Sequence, residues 1–99
     1  MQTILMTISP SAKLTASPDA LVNVVNDESV LLDLKTERYF GLNESGTRMW
    51  AAILEHGTID GACAALAAEY DTDPAVLRQD LETLVEKLVE RGLVQVDAA

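Results

Sequence analysis

The run Glu28-Ser29-Val30-Leu31-Leu32-Asp33-Leu34-Lys35-Thr36-Glu37-Arg38-Tyr39-Phe40-Gly41-Leu42-Asn43, continued by Glu44-Ser45-Gly46-Thr47-Arg48-Met49-Trp50, decides the fold, because its apolar period changes within it. Under the two-residue period of a strand, Val30, Leu32 and Leu34 share one face, while Leu31 and Asp33 point to the other. One face is therefore core and the other partly wet. Beyond Leu42 the apolar spacing becomes three and four, which is helical, and Asn43 stands where a cap belongs.

Working outward toward the N-terminus, Ala20 to Val25, Ser29 to Leu34 and Arg38 to Leu42 are β-rich runs divided by Asn26-Asp27-Glu28 and Lys35-Thr36-Glu37. Breaks that short predict an antiparallel meander. Residues 1–19 mix Ser, Thr, Pro and Ala around Ile4-Leu5-Met6 and read as an arm with an edge strand at most.

Working outward toward the C-terminus, Met49, Trp50, Ile53 and Leu54 form a stripe that stops at His56-Gly57, giving a first helix over about residues 44–55. Thr58 caps a second, with Asp60 in its first turn and Ile59, Ala62, Cys63, Leu66, Ala67 and Tyr70 on its buried side. Asp73-Pro74 starts a third, because an Asp cap followed by proline at the first helical position matches both the orphan N–H groups and the fixed φ of proline. Leu77, Leu81, Leu84, Val85 and Leu88 carry its stripe to Arg91, and Gly92 ends it. Leu93, Val94 and Val96 leave as an extended tail, followed by residues 97–99.

Strands first and helices after predict a small α+β domain. At 99 residues and 48% hydrophobic, the chain suits one core. Its formal charge of −9 repels the phosphate backbone on which nucleic-acid affinity depends, so nucleic acid is not an expected partner. No basic n-region opens the sequence and no run of about 18 apolar residues interrupts it, so a cytoplasmic protein without membrane contact is expected.

The same residues argue against catalysis. His56 stands at a helix end, Cys63 falls among alanines on an apolar side, and the five glycines are scattered rather than gathered into a phosphate cradle. Asp27-Glu28, Asp71 with Asp73, and Asp80 with Glu82 lack calcium-loop spacing. Neither a disulfide nor a protein-only metal site is expected, and no cofactor.

Leu31-Leu32-Asp33-Leu34, Arg38-Tyr39-Phe40-Gly41-Leu42-Asn43, Gly46, Met49-Trp50 and Gly92-Leu93-Val94, taken in order, resemble the PqqD family. The resemblance spans most of residues 20–96. It implies a winged helix-turn-helix-like fold, a three-stranded antiparallel β-meander followed by three α-helices, of the kind that serves as recognition element in pathways for ribosomally made, modified peptides, including pyrroloquinoline quinone and lasso peptides. It further implies a non-catalytic adaptor. The leader segment of a precursor peptide adds as an antiparallel strand to the third strand of the meander, beside the third helix. The adaptor delivers it to a modifying enzyme such as a leader peptidase, cyclase or radical SAM enzyme.

On this sequence the binding edge is Arg38, Tyr39, Phe40, Gly41 and Leu42. An edge strand offers unpaired N–H and C=O groups, Gly41 permits close backbone approach, and the aromatic pair supplies area at little rotamer cost. Helix three contributes Arg78, Leu81, Val85 and Lys87 to the candidate site, with Leu77, Leu81, Leu84 and Leu88 also read as core. The rival reading is a winged-helix DNA-binding regulator with helix three as recognition helix, against which stand Asp80, Glu82, Glu86 and Glu90. A carrier protein modified at Ser29 is disfavoured because that serine falls in a hairpin rather than at a helix start.

Overall fold

The computed structural model describes residues 8–97. Along the chain run β1 (Lys13–Ala16), β2 (Ala20–Val25), β3 (Glu28–Asp33), β4 (Arg38–Leu42), α1 (Glu44–His56), α2 (Ile59–Glu69), α3 (Pro74–Glu90) and β5 (Val94–Asp97). The α+β class and the antiparallel meander are as expected, with strand order β2-β3-β4 and the helices following. The Ile4-Leu5-Met6 run lies outside the described residues.

The helix boundaries follow from local chemistry. The Asn43 side chain accepts from the Gly46 N–H at 2.8 Å and Thr58 Oγ1 from the Gly61 N–H at 2.9 Å, each satisfying a donor that the first turn leaves unpaired. Asp73 does the same for Ala75 with Pro74 at the first helical position, and α1 ends where Gly57 takes φ of 75°.

Burial corrects several details. The buried face of β3 is Ser29, Leu31 and Asp33, whereas Val30 and Leu34 are exposed and Leu32 half-buried. The helices therefore cover the side with fewer aliphatic residues. On that side the Ser29 and Thr47 hydroxyls bond at 2.8 Å and Asp33 accepts from the Lys35 N–H, so burial leaves neither polar side chain unpaired. Leu54 in α1 and Ala67 and Tyr70 at the end of α2 are exposed, while Ala52 is fully buried, so the buried stripe runs slightly out of phase with the expected one.

The N-terminal arm also contains more structure than its composition suggested. Lys13–Ala16 pairs antiparallel with the C-terminal strand from Ala16↔Val94 to Lys13↔Asp97, forming a second, two-stranded sheet. Leu14 enters the main core, its N–H donates to the Gly57 carbonyl, and the Pro10 carbonyl accepts from the Asp60 N–H. The arm thus straps the α1–α2 turn. Backbone bonds missing from that turn are supplied by a segment distant in sequence.

Candidate peptide-binding site

In the meander β3 is central, so among the described residues β4 has a ladder partner on one side only and is an edge strand. Its register with β3 (Leu31↔Phe40, Leu32↔Tyr39, Val30↔Gly41) assigns its faces, because directly opposed residues share a side. Phe40 and Leu42 project toward the helices with Leu31. Tyr39 and Gly41 project to the outer face, where Tyr39 is 70% exposed.

The edge is held in place from α1. Thr47 donates to or accepts from Ser29 on β3, and its hydroxyl approaches the Leu42 carbonyl at 3.5 Å where β4 runs into the helix. Leu42 itself is buried. The last residue of the strand is thus a core anchor, whereas Phe40, half-buried and packed against the core, keeps part of its ring uncovered.

Between this edge and α3 runs an open groove of about 430 Å³, walled by Phe40, Gly41 and Leu42 on one side and by Asp80, Leu84 and Lys87 on the other. Open to solvent, such a groove has room for a few side chains of an extended peptide lying along β4. At its far end the Arg91 guanidinium lies over the Phe40 ring, 5.3 Å from the centroid. Arg91 ends α3 and meets Phe40, the middle residue of β4 and the first of the strand along the groove, while Asp80, Leu84 and Lys87 line the groove beside Phe40, Gly41 and Leu42, so the helix runs back along β4 from Leu42 toward Phe40.

The structure separates the four helix-three residues of the candidate set. Leu81 and Val85 are both fully buried and have no surface to offer a groove. Arg78 faces α2, where its guanidinium bonds Asp60 at 2.6 Å with Glu82 at 3.9 Å, and the Asp60 hydrogen bond pushes its pKa up from the ordinary value. Of the four only Lys87 lines the groove. At about 100° per residue, Val85 and Lys87 stand on opposite flanks of the helix and cannot serve one groove together. The flank toward β4 is Asp80, Leu84, Lys87 and Arg91, and Leu84, read as core, is half-buried and walls the groove.

Cys63 is buried, His56 is exposed with Glu55 at 3.8 Å, and among the described residues no group of three His, Cys, Asp or Glu side chains is placed to hold a metal ion. Among the described residues no helix is long and apolar enough to cross a membrane. The outer positions Asp80, Glu86 and Glu90 of α3 are exposed acids, the wrong sign for a phosphate backbone.

Known proteins bear on this geometry. The family described as coenzyme PQQ synthesis protein D (PqqD) matches residues 28–94. A solved structure of TbiB1 in complex with the TbiA(beta) leader peptide is similar with a TM-score of 0.75 and 32% identity, over 86% of this chain and 99% of that one. A lasso peptide synthetase B1 complexed with the leader peptide is similar with a TM-score of 0.75 over 85% of this chain and 99% of that one, and its 24% identity bears on the fold alone. No curated protein matches.

Proposed function

This chain belongs to the PqqD family, and from that premise we propose that it is a non-catalytic adaptor for the leader segment of a ribosomally made precursor peptide. The leader adds as a strand to the free edge of β4, along Arg38 to Leu42, and lays alternate side chains into the groove against Phe40, Leu84 and Lys87. The observation that carries the reading is the edge of β4, unpaired among the described residues, beside a groove on α3 that mixes apolar and charged side chains. Backbone hydrogen bonds to the edge supply affinity that is indifferent to sequence, and the groove supplies the discrimination.

Residues 20–96 form the recognition unit in this reading, and residues 1–19 an arm that braces it. Having bound the leader, the adaptor brings the precursor to a modifying enzyme such as a leader peptidase, cyclase or radical SAM enzyme, in a pathway of the lasso-peptide or pyrroloquinoline quinone type. Support comes from the leader peptide bound in the similar TbiB1 structure.

Amide hydrogen exchange with a leader peptide that the chain binds in titration, beginning with the TbiA(beta) leader, tests the site. Amides of Arg38 to Leu42 are expected to gain protection on peptide addition while those of α2 do not. Equal exchange of the β4 amides with and without bound peptide removes the strand-addition reading.

A further inference from the structure

The groove has two electrically distinct ends. The chain carries seven basic residues against sixteen acidic ones, and two of the seven, Arg48 and Arg78, are committed to ion pairs with Glu69 and with Asp60 and Glu82. Lys87 and Arg91, one helical turn apart on the flank of α3 that faces β4, form no ion pair among the described residues. Asp80, exposed on the same flank, lies about 16 Å back along the helix from Arg91 at 1.5 Å per residue.

We infer that Lys87 and Arg91 form a carboxylate-binding end of the peptide groove, with Asp80 as its opposite pole, so that the site selects both an acidic residue and a chain direction. The inference rests on the adaptor reading. A strand antiparallel to β4 runs with α3, entering beside Asp80 and leaving beside Arg91. A peptide bearing Asp or Glu on the C-terminal side of its apolar groove residue therefore meets Lys87 and Arg91, whereas the reverse direction sets that carboxylate against Asp80.

Stacking on Phe40 suits Arg91 to this role. The ring holds the guanidinium in place while Arg91 stays exposed, so its N–H groups are available for a bidentate carboxylate contact, which an unsupported side chain forms only after losing more rotamer freedom. The local pair also matters because the whole chain is strongly acidic and repels an acidic peptide at long range. The attraction is confined to one end of the groove and weakens with added salt.

The test is a display selection of random peptides, long enough to span β4 and the groove, against the full chain. Enriched peptides are expected to carry Asp or Glu C-terminal to an apolar residue. Changing that carboxylate to its amide, or the protein by Lys87→Gln with Arg91→Gln, is expected to weaken a selected peptide about fivefold, with no further loss when both are changed. The charge-reversed pair Lys87→Glu with Arg91→Glu should instead enrich Lys or Arg at that position, with circular dichroism verifying its fold. Enriched peptides without a carboxylate preference, or affinity unmoved by the glutamine pair, overturn this inference and leave the adaptor reading standing. A selection that enriches nothing overturns both.

Discussion

The guanidinium of Arg91 lies 5.3 Å from the centroid of the Phe40 ring, joining the end of α3 to the middle residue of the edge strand. That contact closes one end of the groove and holds half-buried Phe40 as its floor. Replacing Phe40 by Asp is expected to weaken leader binding at least tenfold, since it removes an aromatic contact and puts a carboxylate where the leader's apolar side chain rests. Because the ring is only partly buried, the fold should persist. Titration calorimetry with unchanged affinity would falsify the placement of Phe40 in the site.

Leu84 and Val85 are adjacent in sequence and have opposite assignments. Val85→Asp introduces an unpaired charge into a fully buried position and is expected to unfold the domain, seen as loss of the cooperative thermal transition. Leu84→Asp alters a half-buried groove wall and is expected to retain a cooperative transition while losing peptide affinity. Equal thermal behaviour of the two variants would contradict the assigned orientation of α3.

This pair marks how far the sequence was legible. The existence, order and ends of β2 to α3 were written in local signals: short polar breaks, Asn43 and Thr58 as caps, Asp73-Pro74, Gly57 and Gly92. Which flank of α3 faces β4 was not, because apolar spacing fixes a stripe but not the neighbour on either side of it, and Leu84 and Val85 both belong to that stripe. The β3 face was hidden for a related reason. Its buried side holds Ser29 and Asp33, whose partners Thr47 and Lys35 are apparent only once the chain is folded. β1 was missed because Lys13–Ala16 is too short to register a period, and its partner β5 is almost a whole chain away.

The Ser29–Thr47 hydroxyl pair couples the meander to α1 at 2.8 Å. Thr47→Val leaves the buried Ser29 hydroxyl without its partner and is expected to cost about 1–3 kcal/mol. The double variant Ser29→Ala with Thr47→Val removes both polar groups and should recover part of that loss. Urea denaturation of the four proteins of the cycle measures the coupling, and strictly additive single effects would mean that the two hydroxyls do not act as a pair.

Leu14 makes the arm part of the core, at 2% exposure. Leu14→Ala is expected to destabilise by about 2–5 kcal/mol, the range for emptying a leucine-sized core site. Removing residues 1–16 should cost more, since β5 loses its ladder and the α1–α2 turn loses the bonds from Leu14 and to Pro10. A truncated chain melting at the temperature of the full one would show the strap to be dispensable.

Glu37 closes the β3–β4 connection at φ of 61°, a left-handed conformation that an L side chain adopts at a cost of about 1–2 kcal/mol. Its N–H donates to the Asp33 carbonyl at 2.6 Å, so the turn is held by a backbone bond that does not depend on the side chain. Glycine adopts this φ without the Cβ penalty but loses more chain entropy on folding, a term of about 0.5–1 kcal/mol in the opposite direction. Glu37→Gly is therefore expected to stabilise modestly, by up to about 1 kcal/mol. The substitution lies outside the groove and in an exposed turn, so leader affinity should not change. Chemical denaturation paired with calorimetry checks both. A loss of stability would mean that the Glu37 side chain contributes to the turn, and a loss of affinity would extend the binding surface beyond Arg38 toward this loop.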